Sequence, residues 1–181
     1  MRSLFGVTKD LWRLGLVFVD IALHRRGPEH IPSSSFLFGL LTTIYLIASI
    51  VATQVAEPLS RAVGMVVFDT VLYLGFIWLL LSIRSYPDRF YQTVSAIFGA
   101  QTFLTLIGIP ILMTISIENG EIETSSAGSW LFLILIFWSI DIAGFVLSRA
   151  LRLSYFLAVM IVLGYSLSSF TLGGLLFPVT I

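Results

Sequence analysis

Five long apolar stretches dominate the chain: Phe36 to Ala56, Ala62 to Ile83, Phe90 to Ile117, Trp130 to Ser148 and Leu153 to Phe177. None contains a Lys or Arg. A helix of about 20 residues crosses a hydrocarbon core of about 30 Å, so each stretch predicts one membrane-spanning helix. Polar or turn-forming segments separate them: Glu57-Pro58, then Arg84 to Arg89 with Pro87, then Glu118 to Ser129 with Asn119-Gly120, then Arg149 to Arg152. Connections this short predict an all-α integral membrane protein whose five transmembrane helices form one antiparallel bundle over residues 36–181.

The leading segment follows a different rhythm. Leu4, Val7, Leu11, Leu14, Phe18 and Ile21 recur at spacings of three and four, while Arg2, Lys9, Arg13, Asp20 and His24 gather on the opposite arc. Residues 1–27 therefore predict an amphipathic helix lying in the membrane interface. A cleaved signal peptide would need 7 to 15 uninterrupted apolar residues, and Arg13 and Asp20 break the segment too often for that. Residues 28–35 form an elbow: Gly27-Pro28 and Pro32 interrupt the helix, and Ser33, Ser34 and Ser35 offer N-cap oxygens to the first span.

Charge placement sets an expected orientation. Arg2, Lys9, Arg13, Arg25, Arg26, Arg84, Arg89, Arg149 and Arg152 fall on one side of the spans, and only Arg61 falls on the other. By the positive-inside rule the amino terminus is cytoplasmic and the carboxyl terminus outside. Trp12 and Trp130 suit interfacial anchoring. Leu11, Trp12, Arg13, Arg25 and Arg26 are the candidate contacts to lipid or a partner, although Arg25 and Arg26 also serve simply as topogenic charges.

Composition supports the same class. Over the 181 residues only 11% are charged and 57% are hydrophobic, and the mean hydropathy is +1.01; soluble domains carry about 25% charged residues. Ten basic residues balance ten acidic ones, which gives no electrostatic case for nucleic acid. With no Cys there is no disulfide, thiolate metal site or cysteine nucleophile.

Two acids fall inside spans, Asp69 and Asp141, and an intramembrane carboxyl is a functional candidate because it is costly to bury. At 1.5 Å per residue Asp69 stands ~22 Å from Arg84, and Asp141 ~12 Å from Arg149. A depth offset of ~10 Å argues against a proton-sharing pair. Near the level of Asp69 lie Tyr73, Gln101, Thr102 and Tyr165. Together with Asp141 these form a candidate intramembrane polar network: either a proton or solute path or interhelical glue worth about 0.6 kcal/mol per bond. Asp141 is expected to pair partly with Arg149 or Arg152. Gly108 and Pro110 predict a kink in the third span. Small residues four apart, at Gly144 with Ser148, Ser154 with Ala158, Gly164 with Ser168 and Ser169 with Gly173, suit close helix contact within or between chains.

Catalytic signatures are missing. His24 and His30 both precede the first span, which argues against an intramembrane Ser and His protease. Trp138-Ser139-Ile140-Asp141 is not the Gly-x-Gly-Asp of aspartyl membrane proteases. Glu118, Glu121 and Glu123 beside Asn119-Gly120 read as a solvated turn rather than a hard-cation site. No catalytic, cofactor or metal residue is assigned.

A polar leading segment followed by five closely spaced helices resembles the Yip1-domain membrane proteins. Val162-Leu163-Gly164-Tyr165-Ser166-Leu167-Ser168 is similar to their Gly-Tyr followed by apolar residues, without the proline that ends it. The Asp-Leu-Tyr-Gly-Pro motif of the eukaryotic members is absent. Arg26-Gly27-Pro28-Glu29-His30-Ile31-Pro32 resembles an elbow in small bacterial inner-membrane proteins. The resemblance implies a non-catalytic protein that organises membranes or assembles partners. The expected function is thus a scaffold or accessory subunit of the bacterial inner membrane, contacting lipids, a partner protein or a second copy through the small-residue seams. The alternative is a small proton- or solute-conducting subunit using Asp69 and Asp141, and a lipid-modifying enzyme ranks third.

Overall fold

The computed structural model describes residues 15–115, 117–118, 121–122 and 127–178. Helix α1 covers residues 15–22, and five long helices follow: α2 Ser35–Thr53, α3 Leu59–Ile83, α4 Phe90–Leu112, α5 Ala127–Leu151 and α6 Tyr155–Leu176. All five are long and apolar enough to cross a membrane. Short 3-10 turns at Pro28–His30 and Pro87–Arg89 precede α2 and α4. Strands β1 (Ile117–Glu118) and β2 (Glu121–Ile122) pair antiparallel, Ile117 opposite Ile122, where the sequence reads as a solvated turn.

Local chemistry explains the boundaries. Among the three elbow serines Ser34 is the N-cap, its hydroxyl accepting from Leu37 N–H at 3.3 Å, and Ser154 caps α6 through Leu157 N–H at 3.4 Å. Pro58 sits at the N-cap of α3, where its missing N–H costs nothing. The third apolar stretch runs to Ile117, but its helix ends at Leu112, two residues after Pro110. The proline thus lies in the last turn of α4.

Helix α4 is the axis of the bundle. Every residue from Thr93 to Ala100 is buried, with α2 and α5 as its main neighbours, α6 packed on α5, and α3 held chiefly by α2. Two glycines set the closest approaches. A Cβ at Gly99 would stand 2.2 Å from the Phe18 ring, and one at Gly144 would stand 2.5 Å from Val159 Cγ2 and 3.1 Å from its Cα. The apolar stripe of α1 is therefore not turned to lipid: Phe18, Ile21 and Ala22 belong to the central core, because α4 offers a glycine groove that the ring fills. The rest of the stripe, Leu4, Val7, Leu11 and Leu14, lies outside the described residues, as do Trp12 and Arg13.

Three helices end alike. His24, Ser85 and Arg152 have left-handed backbones, with φ of 58°, 59° and 54°. In each case the next residue's N–H reaches five positions back, Arg25 to Asp20, Tyr86 to Leu81 and Leu153 to Ser148, at 2.8, 2.8 and 2.9 Å. These are Schellman closures, which glycine usually occupies, and a non-glycine residue there costs roughly 1–2 kcal/mol. Ser85, exposed and with no side-chain hydrogen bond among the described residues, is the position to relieve. We expect Ser85→Gly to stabilise the protein by about 0.5–1 kcal/mol, after the entropy that glycine adds to the unfolded chain. A thermal melt in detergent checks this.

Candidate functional site

Asp69 lies mid-helix on α3, facing α6. Tyr165 O–H donates to Asp69 Oδ1 at 3.1 Å, and Ser169 O–H donates to the same oxygen at 2.5 Å. Four positions apart, Tyr165 and Ser169 share one face of α6, which is why both reach one carboxylate. Asp69 Oδ2 has no hydrogen bond among the described residues. The Tyr165 ring is held by Phe76 and Tyr73, with centroids at 4.6 and 4.9 Å. Two hydroxyl donors offset part of the about 2.5–3.5 kcal/mol that an Asp costs at the centre of a spanning helix.

A cavity of about 240 Å³ adjoins this carboxylate, lined by Tyr45, Asp69, Tyr73, Gln101, Ser139 and Tyr165 among others. Gln101 Nε2 donates to Ser139 O at 2.9 Å, tying α4 to α5 across the cavity. Tyr45 stacks on Phe98 at 4.4 Å. A second cavity, of about 480 Å³, also touches Tyr45, Asp69 and Ser169 and runs to Glu57, Arg61 and Phe177 at the end of the bundle away from most arginines. There Arg61 pairs with Glu57 at 3.3 Å and donates to Phe177 O at 2.6 Å. Tyr45, Asp69, Ser169 and Phe170 line both cavities.

Of the residues expected near this depth, Asp69, Tyr73, Gln101 and Tyr165 line one cavity. Thr102 is buried but donates to Phe98 O within its own helix at 2.7 Å, outside that lining. Asp141 is also elsewhere. Its Oδ1 accepts from Tyr155 O–H, and its Oδ2 lies 3.0 Å from His24 Nε2. The expected arginine partners are engaged otherwise: Arg149 pairs with Glu29 at 3.1 Å, and Arg152 lies over the Tyr86 ring at 5.6 Å. Eight residues along a helix is ~12 Å, too far for Arg149 to turn back. The expectation that neither histidine reaches the spans fails for His24. The C-terminal end of α1 docks against α5 through Trp138 Nε1, which donates to Ala22 O at 2.9 Å, and the His24 ring stacks on Phe145 at 4.3 Å.

Tyr45, Ser139 and Ser169 complete the Asp69 cavity without having been singled out in the sequence. Ser169 was legible only as part of a small-residue pair, and Tyr45 only as a tyrosine at mid-span. Arg25 and Arg26 are exposed beyond α1, and Arg26 pairs with Asp20 at 3.1 Å. Among the described residues no group of three or more His, Asp and Glu comes together to hold a metal ion.

The arrangement defines a class: a five-helix chain compatible with a multi-pass membrane protein, with a carboxylate in a polar cavity between its helices. No family model matches the chain, and no curated protein or solved structure matches it.

Proposed function

We propose that the protein is a small proton- or solute-conducting membrane subunit centred on Asp69. The observation that carries this reading is that one carboxylate, Asp69, lines two cavities. One leads from Glu57 and Arg61 to Asp69, and the other continues past Gln101 and Ser139. An intramembrane acid facing a cavity is the usual setting of a proton or ion relay. The wall of the smaller cavity includes Ile140, Ala143 and Val162, which this reading takes as an apolar barrier between Asp69 and the Asp141, Tyr155 and His24 cluster. In this reading Asp69 exchanges with one side, Asp141 with the other, and the barrier sets the rate. By the basic-residue count, Glu57 and Arg61 face outward and the arginine-rich end faces the cytoplasm of a bacterial inner membrane.

Flux driven by a pH gradient in proteoliposomes tests it. Asp69→Asn keeps the shape and the two hydroxyl partners but removes the titratable charge, and should lower flux by about tenfold or more. Wild-type flux at the level of empty vesicles, or flux that survives Asp69→Asn, rules the reading out.

A second reading, a scaffold or accessory subunit, is favoured by the open face of α6. Gly164, Gly173 and Gly174 have nothing within 4 Å of where a side chain would begin, whereas Gly144 is filled by Val159. Of the expected α6 seams, Gly164 with Ser168 is exposed and remains available to a second chain or partner among the described residues, whereas Ala158 is buried and Ser169 is bonded to Asp69. Native mass after cross-linking in membranes separates the readings: a stoichiometric complex supports the scaffold.

A further inference from the structure

At the arginine-rich end, the α3–α4 and α5–α6 connections converge on Tyr86. Arg89 lies over its ring at 4.5 Å and Arg152 at 5.6 Å. Arg89 Nη1 donates to Ala150 O at 2.8 Å, and Arg84 Nη2 donates to Leu151 O at 3.4 Å, so both guanidinium groups gather on the last carbonyls of α5. Among the described residues none of these three arginines has an ion-pair partner, whereas Arg26, Arg61 and Arg149 each do. The two connections hold one acid, Asp88, against the three arginines.

Capping the carbonyls of α5 accounts for one N–H of Arg84 and one of Arg89, and a guanidinium carries five. It does not account for Arg152. That residue is exposed and sits at a left-handed position, φ 54°, where glycine is cheaper.

We propose that Arg84, Arg89 and Arg152 bind a phosphate group, that of an anionic lipid headgroup at the membrane surface. The ends of α3 and α5 lie where the apolar spans stop, which for a spanning helix is the level of the headgroups. Guanidinium forks match phosphate oxygens in pairs, and two of the three guanidinium groups lie within 5.6 Å of the Tyr86 ring centroid.

The test is a thermal-shift titration of the full chain in neutral detergent with phosphatidylglycerol, phosphatidylcholine or inorganic phosphate. Phosphatidylglycerol should raise the midpoint and phosphatidylcholine should not. Arg152→Gly is the informative variant because it relieves strain: its own midpoint should equal or exceed that of the wild type, while its apparent affinity for phosphatidylglycerol falls by about tenfold, the loss of one charge-assisted contact. Arg152→Lys keeps the charge without the fork and should show most of that loss. Arg149→Gln, whose guanidinium is already paired with Glu29, should leave the affinity within about twofold. Inorganic phosphate that matches phosphatidylglycerol supports the site and assigns it to a soluble phosphate; no response to it supports the lipid. Equal responses to the two lipids, or equal losses in Arg149→Gln and Arg152→Gly, overturn the proposal in favour of diffuse surface charge.

Discussion

Phe18→Ala should cost about 3–5 kcal/mol, the largest single-residue loss expected in this chain. Phe18 is only 7% exposed although it lies close to the amino terminus. Its ring fills the groove that Gly99 leaves in α4, the most buried helix, so truncation opens a void at the centre of the bundle rather than at its edge. The effect should extend to Asp141, because the Phe18 contact and the Trp138 bond to Ala22 O together hold His24 against it. The thermal midpoint and limited proteolysis around residues 15–30 measure both consequences. An unchanged midpoint would mean that Phe18 lies on the membrane interface, as the stripe pattern alone places it, and that α1 is not part of the core.

Gly144→Leu should be the most damaging enlargement. The nearest atoms to a new Cβ include Val159 Cα at 3.1 Å, and backbone cannot turn aside as a side-chain tip can. Overpacking of this kind costs about 1–3 kcal/mol. Here it also pushes α6 away from α5 at the level where Tyr155 reaches Asp141, since Gly144 lies three positions from that acid and on the same face. Gly164→Leu is the matched control, with open space at its Cβ. If both variants melt alike with the wild type, the close α5–α6 approach is wrong. If Gly164→Leu alone is damaging, and only in the native membrane, α6 carries a partner and the scaffold reading gains.

Sequence periodicity resolved the spanning helices well because lipid imposes one demand on all of them. The ends of the stretches from Ala62 and Phe90 show its limits. Leu59–Ile83 begins before the apolar count does, since Leu59, Ser60 and Arg61 are helical though not all apolar. The third stretch overshoots because Met113, Ile115 and Ile117 continue the uncharged run after the helix has stopped at Leu112. Depth counting from the arginines placed Gln101 and Tyr165 level with Asp69, and these do share its cavity. Counting gives height but not direction around the helix: Thr102 is next to Gln101 in sequence, about 100° away, and turns back onto α4. His24 and Tyr155 near Asp141 were not legible, because their meeting depends on α1 folding back onto α5, and no local pattern encodes that docking.

The thin attachment of α3 to α6 has a mechanical consequence. Hairpin α2–α3 and hairpin α5–α6 both lean on α4, and the Asp69 bonds to Tyr165 and Ser169, with the Arg61 bond to Phe177 O, are the polar rungs between their outer arms. Cutting the middle rung leaves the arms one polar tie at the tip and the ring contacts of Tyr165 with Tyr73 and Phe76, so that they part more easily, like loosened tweezers. The distance between spin labels at Val71 and Leu167, both exposed, then becomes a gauge of whether Asp69 is engaged.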